Sequence, residues 1–190
     1  MRYNPDAHRR RSIRLRGYDY AQAGAYFITI CTDNRRPLLE PEPTKQIVCD
    51  VWKELPDHYP HVRLDAFVIM PNHVHGIIVL ADVGAGLRPA PTPSVRTRRH
   101  GLPEIVRAFK SFSSRRLNAN FGTPGARLWQ RNYYEHVIRT DDALNRIRQY
   151  ILDNPARWGY DRDNPLGQPD KDETAFWETL GPGGAHLPRG

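Results

Sequence analysis

The chain has 190 residues, a formal net charge of +7 and a pI near 9.7. This length suffices for one hydrophobic core with appendages but is short for two full domains. The charge is mostly arginine, which favours a polyanion as partner, because a guanidinium group matches phosphate oxygens. No apolar run approaches the roughly 20 residues of a membrane span, so we expect no membrane association. Cys31 and Cys49 lie outside any metal-type spacing, and no secretory signal is visible, so we expect reduced thiols and a cytoplasmic protein.

The first 24 residues form a basic N-terminal arm that precedes the first strong strand signal. A run of arginines is often only solvated, but beside a nucleic-acid site it can contact phosphates. The residues concerned are Arg9, Arg10, Arg11, Arg14 and Arg16. Residues 26–32 are aromatic and β-branched, which predicts a strand that ends at Asp33 and Asn34.

The next segment predicts one helix followed by two strands. Apolar residues recur every three or four positions over residues 43–55, which indicates a helix closed by Pro56. Residues 62–70 alternate as a second strand, and Pro71 and Asn72 then predict a hairpin into the apolar strand that follows. Strand, helix, strand, strand is half of a ferredoxin-like α+β sandwich, with helices packed on a central antiparallel sheet.

His73 and His75 begin this last strand, separated by Val74. Side chains alternate along a strand, so both imidazoles project from one face, with Cα atoms about 7 Å apart. They could be polar residues near a turn, or they could converge on one divalent ion. A rigid strand orients both rings, so we favour a metal-ligand pair.

Residues 81–101 lack periodicity and are rich in glycine and proline, which predicts a flexible insertion. Residues 102–118 then predict an amphipathic helix with one apolar and one basic face. The basic face is either solvated or a surface for DNA. Its cations are Arg107, Lys110, Arg115 and Arg116.

A short strand is expected within residues 128–139, followed by a helix that Thr140 caps and that runs to about Asp153. We therefore place the main domain at residues 25–160, with the insertion at 81–101. Residues 161–190 are polar and rich in glycine and proline, and we expect a partly disordered tail.

Tyr150 and Asn154 are four residues apart, so they share one face of the last predicted helix. Arg146 and Arg148 flank the tyrosine and could lower its pKa and gather a phosphate. A phenol so placed can attack phosphorus beside a metal ion, although it could equally be a half-buried aromatic. Tyr134 is the alternative nucleophile, since it lies near Arg131 and His136 in sequence.

Several sequence blocks, in this order, resemble one family over about residues 9–159. The blocks are Arg10-Arg11-Ser12-Ile13-Arg14-Leu15, Gly17-Tyr18-Asp19-Tyr20, Tyr26-Phe27-Ile28-Thr29-Ile30, Met70-Pro71-Asn72-His73-Val74-His75, Phe109-Lys110-Ser111, Trp129-Gln130-Arg131-Asn132-Tyr133-Tyr134-Glu135-His136-Val137-Ile138-Arg139 and Tyr150-Ile151-Leu152-Asp153-Asn154-Pro155. The chain resembles the REP-associated tyrosine transposases, which belong to the single-tyrosine HUH superfamily.

The resemblance implies the HUH endonuclease fold, with His73 and His75 as metal ligands and Tyr150 as nucleophile. Related transposases often have a glutamine four residues after the tyrosine as a further ligand; here the residue is Asn154. The implied reaction cleaves and rejoins single-stranded DNA with Mg²⁺ or Mn²⁺, through a 5′-phosphotyrosine. That bond retains the phosphodiester energy, so we expect no nucleotide cofactor, and the chain has no phosphate-binding Gly-rich loop.

The implied substrate is the DNA hairpin formed by repetitive extragenic palindromes. We expect contacts from the arginines of the arm, from the basic helix and from Arg131 and Arg146, with unpaired bases stacked on Tyr18, Tyr20 or Trp129. The protein could be a monomer or a homodimer.

Three alternatives remain at this point. A domesticated, non-catalytic hairpin-binding protein would have a similar sequence, but His73, His75 and Tyr150 are all intact. An RNA-binding domain on the same scaffold is disfavoured, because the aromatic RNP1 signature of such domains is missing from this sequence. A metal hydrolase is disfavoured because no carboxylate base lies next to the histidine pair.

Overall fold

The computed structural model describes residues 15, 17–82, 100–168, 175–177 and 179–180. The arginines at 9, 10, 11, 14 and 16, most of the predicted insertion and the last ten residues lie outside this part of the chain. The described strands are β1 (Gly24–Cys31), β2 (Val62–Met70), β3 (His73–Leu80) and β4 (Tyr134–Ile138). The helices are α1 (Glu42–Lys53), α2 (Leu55–His58), α3 (Leu102–Phe121) and α4 (Asp141–Asp153), with short 3-10 segments at Asp33–Arg35 and Asn154–Tyr160.

The four strands form one antiparallel sheet in the order β2-β3-β1-β4. Because β1 lies between β3 and β4, the two halves of the chain interlock in the sheet. This order, with helices after β1 and β3, is the ferredoxin-like α+β arrangement that the sequence predicted.

The helices form two layers, one on each face of the sheet. Side chains alternate along β1, so Tyr26, Ile28 and Ile30 join the core under α1 and α3, whereas Phe27 joins a smaller core under α4. Every apolar residue of β1 from Tyr26 onward is therefore buried on one side or the other. The same alternation places His73 and His75 of β3 on the α4 face.

Helix α1 packs directly on the strand of the histidines. The ring of Trp52 stacks on Phe67 with 4.3 Å between centroids, and it lies over Gly76. A Cβ atom at Gly76 would come within 2.6 Å of the indole. The absence of a side chain at this position thus allows the close contact between α1 and β3.

Two predicted element ends differ from the structure. Pro56 does not end the helix of residues 43–55, because α1 ends at Lys53 and Pro56 lies in the first turn of α2. Proline is tolerated there since the first helical amides have no intrahelical acceptor. Helix α3 continues beyond Asn118 to Phe121, where Gly122 adopts a left-handed φ of 64° and ends it. The cap of α4 is as predicted, with Thr140 accepting a hydrogen bond from the amide of Ala143.

Candidate metal centre and nucleophile

The two histidines of β3 meet at the end of the sheet where that strand begins. Their ring centroids are 4.4 Å apart, and the two Nε2 atoms lie 2.9 Å from each other. Both side chains are buried. The prediction that they share one face is confirmed.

Asn72 determines the tautomer of His73. Its Nδ2 donates to the carbonyl oxygens of Arg35 (3.2 Å) and Asp163 (2.6 Å), so its Oδ1 lies toward the imidazole, 2.8 Å from His73 Nδ1. An amide oxygen only accepts, which assigns the proton of a neutral His73 to Nδ1. The lone pair of His73 is therefore on Nε2, the atom that lies against His75.

His75 is oriented by β1. Its Nδ1 lies 2.9 Å from the hydroxyl of Thr29, and its ring stacks on Phe27 with 5.3 Å between centroids. The hydroxyl can donate to Nδ1 or accept from it. His75 can thus donate from Nε2 to His73, or carry its proton on Nδ1 and offer a second lone pair on Nε2.

Burial keeps both imidazoles neutral. It lowers the pKa of His73 to about 4 and the pKa of His75 well below its usual range. A metal ion binds the neutral form of imidazole. At neutral pH both rings are therefore already in the protonation state that a metal ion needs.

Asp161 completes a cluster of three donors. Its carboxylate lies 3.5 Å from His73 Nε2, and one ligand atom from each of Asp161, His73 and His75 lies within 4.8 Å of the other two. All three side chains are buried. Two imidazole nitrogens and a carboxylate oxygen suit a divalent transition metal or Mg²⁺. The residues present therefore fit a bound metal ion.

Asp161 was not predicted as a ligand, and the prediction that no carboxylate base lies next to the histidine pair is wrong in three dimensions. Residue 161 lies one position beyond the predicted domain boundary, in a segment read as polar tail. The segment Asn154–Tyr160 returns the chain to the sheet, where Asn72 binds the carbonyl of Asp163 and Arg35 pairs with its carboxylate at 3.1 Å. The two acids at 161 and 163 were the only sequence signal for this contact.

Tyr150 lies on the same face of the sheet as the donor cluster. Helix α4 crosses that face and places the phenol ring 5.5 Å from the His75 ring, centroid to centroid. Phe27 packs against the ring from β1, and Phe176 and Trp177 pack against it from the C-terminal segment, each with centroids 5.2 Å away. The predicted nucleophile and the predicted ligands are thus brought together by the fold.

Asn154 lies one turn further along the chain and is buried. Its Oδ1 has no hydrogen-bond partner among the described residues. With Tyr150 and Asp161 it lines a small cavity of about 10 Å³, close to the volume that one water or one small ion occupies. A buried amide oxygen in this position is available as a further ligand.

The two arginines expected to act on Tyr150 have other partners. Arg148 forms a two-bond ion pair with Asp65 of β2, at 2.6 and 2.8 Å. Arg146 donates to the hydroxyl of Thr179 at 2.6 Å and lies over the ring of Phe176. Arg148 therefore joins α4 to the sheet instead of acting on the phenol.

Tyr134, the alternative nucleophile, is also on this face. It is buried against Phe27 and Trp177, and the guanidinium of Arg162 lies 5.4 Å from its ring centroid. Burial raises the pKa of Tyr134, which disfavours the phenolate that an attack on phosphorus needs. His136 contacts Trp177, with ring centroids 6.0 Å apart.

The other predicted DNA contacts lie on the opposite layer. Arg116 forms a two-bond ion pair with Glu54, whereas Arg115 is exposed. Arg107, Lys110 and Arg131 line a common pocket beside α3.

Base stacking on two of the predicted aromatic residues is not supported. Trp129 is buried against Phe109 and donates from Nε1 to Ser113, and Tyr20 is buried beside Tyr26. Both rings belong to the larger core, on the face of the sheet that α1 and α3 cover.

Comparison with known proteins gave two similar sequences from Haemophilus influenzae. One, of uncharacterised function, is 39% identical over 178 residues, covering 85% of this chain and 96% of that protein. The other carries the provisional name REP-associated tyrosine transposase and is 30% identical over 151 residues, covering 75% of this chain and 76% of that protein. No protein-family model matches the chain.

Several solved structures are similar to the chain, and two of them are compared with it. A REP-associated tyrosine transposase bound to a REP hairpin superposes with a TM-score of 0.54 at 22% identity, covering 78% of this chain and 76% of that one. A Deinococcus radiodurans protein provisionally called a transposase gives a TM-score of 0.42 at 25% identity, covering 74% and 95%. The first of these supports the fold.

An antiparallel ferredoxin-like sheet with two histidines on a central strand has the fold of the HUH proteins. The relative named as a REP-associated tyrosine transposase is 30% identical, and the chain covers 76% of its length. This similarity identifies the family within the fold. The chain belongs to the REP-associated tyrosine transposases. Within the described residues, no helix combines the length and apolar character needed to cross a bilayer.

Proposed function

We propose that the protein is a metal-dependent single-strand DNA endonuclease and strand transferase that acts on hairpins of REP type. The observation that carries this proposal is the position of Tyr150, whose ring lies 5.5 Å from that of His75 on the face that also bears Asp161. A nucleophilic phenol and a divalent-ion site so close together suit attack on a phosphodiester.

His73, His75 and Asp161 would hold the ion, with Asn154 as a further predicted ligand. Mg²⁺ or Mn²⁺ would polarise the phosphoryl oxygen and offset the charge that develops on it. The two imidazoles favour Mn²⁺ over Mg²⁺ by ligand softness. Asn72 and Thr29 act through the histidines, because they hold each ring in the orientation that directs Nε2 to the site.

Tyr150 performs the covalent step. The phenol loses its proton as its oxygen attacks phosphorus, the bond from phosphorus to the 3′-oxygen breaks, and that oxygen takes up one proton to become a 3′-hydroxyl, so the number of protons is unchanged. The product is a 5′-phosphotyrosine. The new bond keeps the energy of the phosphodiester, so a 3′-hydroxyl can reverse the step and rejoin DNA without a nucleotide cofactor.

DNA as partner is supported by family membership and by charge. The solved REP-associated tyrosine transposase is bound to a REP hairpin. The present chain carries a net charge of +7, which favours a polyanion. The arginines of residues 9–16 remain predicted contacts outside the described residues, while Arg116, which is paired with Glu54, would have to exchange partners to contact phosphate.

The test uses a hairpin oligonucleotide labelled at its 3′ end, the end that stays with the 5′-phosphotyrosine fragment, together with Mn²⁺ or Mg²⁺, followed by a denaturing gel. We expect a covalent protein–DNA adduct that Tyr150→Phe abolishes and that the matched variant Tyr134→Phe retains. An adduct lost in Tyr134→Phe but kept in Tyr150→Phe would transfer the role of nucleophile. Hairpin binding with no adduct under either metal would favour a non-catalytic, domesticated hairpin-binding protein.

A further inference from the structure

A second pocket lies on the opposite layer from the metal centre. It has a volume of about 370 Å³ and is formed by the N-terminal half of α3 and the loop before β4. This volume is within the range of about 300–1,000 Å³ that is typical of small-ligand sites. Its polar lining consists of Glu104, Arg107, Lys110, Arg131 and Tyr133, so three cations face one carboxylate.

Two of these cations are available to a ligand. Arg107 and Arg131 are exposed, and neither forms an ion pair with any described residue. Other arginines of the described chain do form such pairs, including Arg116 with Glu54 and Arg148 with Asp65. Two guanidinium groups directed to one pocket without a carboxylate partner mark a site for an anion.

Lys110 holds the Arg131 side of the pocket in position. Its ammonium group donates to the carbonyl oxygens of Gln130 and Arg131, and the amide of Gln130 donates to the carbonyl of Cys31. The loop is thus joined both to α3 and to the end of β1. Burial lowers the pKa of Lys110 to about 8, which agrees with a lysine enclosed by these contacts.

The pocket and the metal centre lie at the same end of the sheet. Tyr133, which lines the pocket, precedes Tyr134, which packs in the core of the metal-centre face. Tyr134 pairs in the sheet with Thr29, whose hydroxyl binds His75. Since β4 is an edge strand, the path from the metal centre to the pocket runs around an open edge of the sheet.

We propose that this α3 pocket binds a phosphodiester of the single-stranded DNA that continues from the cleavage site around the β4 edge. The inference rests on the proposed function and adds a second contact to its substrate. Arg107 and Arg131 bind the phosphate oxygens, and Lys110 positions the loop that carries Arg131. The contact is to the backbone, so it strengthens binding without selecting a base.

The test measures binding by fluorescence anisotropy in a Tyr150→Phe background, so that no cleavage occurs. Two labelled probes are compared: a DNA hairpin with single-stranded extensions at both ends, and the same hairpin without them. Arg107→Ala with Arg131→Ala should weaken binding of the extended hairpin about tenfold, and should reduce the slope of log Kd against log salt by about 0.7, the value for one lost phosphate contact on a single strand. The blunt hairpin should bind unchanged.

The matched control is Arg63→Ala with Arg127→Ala; Arg63 is exposed on β2, and Arg127 lies in the same loop as Arg131 and pairs with Asp33. This control also removes two positive charges, but outside the pocket, so it should leave the difference between the two probes intact. Equal losses with both probes, or no loss with the extended probe, would overturn the α3 pocket as a single-strand site. The replaced side chains are exposed, so circular dichroism should show an unchanged fold.

Failure of this inference is distinguishable from failure of the proposed function. Absence of an adduct together with extension-dependent binding that the pocket variants lose would refute cleavage and retain the pocket. An adduct without extension-dependent binding would retain cleavage and refute the pocket.

Discussion

Acidification should destabilise the metal-free protein through His73. An unfolded histidine has a pKa near 6.5, whereas burial lowers the pKa of His73 in the folded protein to about 4. Between these two values the unfolded chain binds more protons than the native one, so stability falls as the pH falls. The difference corresponds to about 2 kcal/mol of lost stability between pH 7.5 and 5, and to about 3 kcal/mol once the pH is below 4.

The measurement is urea unfolding at pH 7.5, 6.5, 5.5 and 5.0 in the presence of a chelator. His73→Gln should reduce the loss between pH 7.5 and 5.0 by about 2 kcal/mol, even if the variant is less stable at every pH. The pKa of His75 is lowered in the same direction, so part of the pH dependence should remain. The same replacement at the exposed His58 is the control for loss of a surface histidine. If His73→Gln kept the full pH dependence, the neutral, buried state assigned to this imidazole would be wrong.

Three further results are expected. Asp161→Asn should weaken Mn²⁺ binding by about tenfold to a hundredfold in isothermal titration calorimetry, since it removes the anionic member of the donor set; unchanged affinity would exclude Asp161 as a ligand. Asn72→Ala should lower Mn²⁺ affinity about tenfold and destabilise the fold by about 1–3 kcal/mol in urea unfolding, because His73 Nδ1 and two carbonyl groups lose their partner. Gly76→Ala should cost about 1–3 kcal/mol in the same assay, because its methyl group would meet Trp52 at 2.6 Å; a neutral effect would show that α1 can shift without strain.

Local patterns were sufficient for most elements. Alternation over residues 62–70 predicted β2 with its observed ends, and the turn at Pro71 and Asn72 predicted the hairpin into β3. Thr140 with two following acids predicted the start of α4. These features depend on neighbours within a few residues, so sequence carries them directly.

Local signals were weaker where two elements compete at a junction. Pro56 is compatible with the end of one helix or the first turn of the next, and only the packing of Leu55 in the core selects the second. Trp129 has an aromatic ring suited to a base or to a core. Its burial under α3, with Ser113 to accept from Nε1, was decided by the tertiary structure.

The sequence by itself determined that His73 and His75 share one face of a strand and that Tyr150 lies on the last long helix, because periodicity is a property of the local backbone. Only the tertiary structure brought Asp161 to the histidines and gathered Arg107 with Arg131 in one pocket. These contacts join residues far apart along the chain. They depend on where the segment after α4 returns to the sheet and on how the loop before β4 is held, which no short-range pattern encodes.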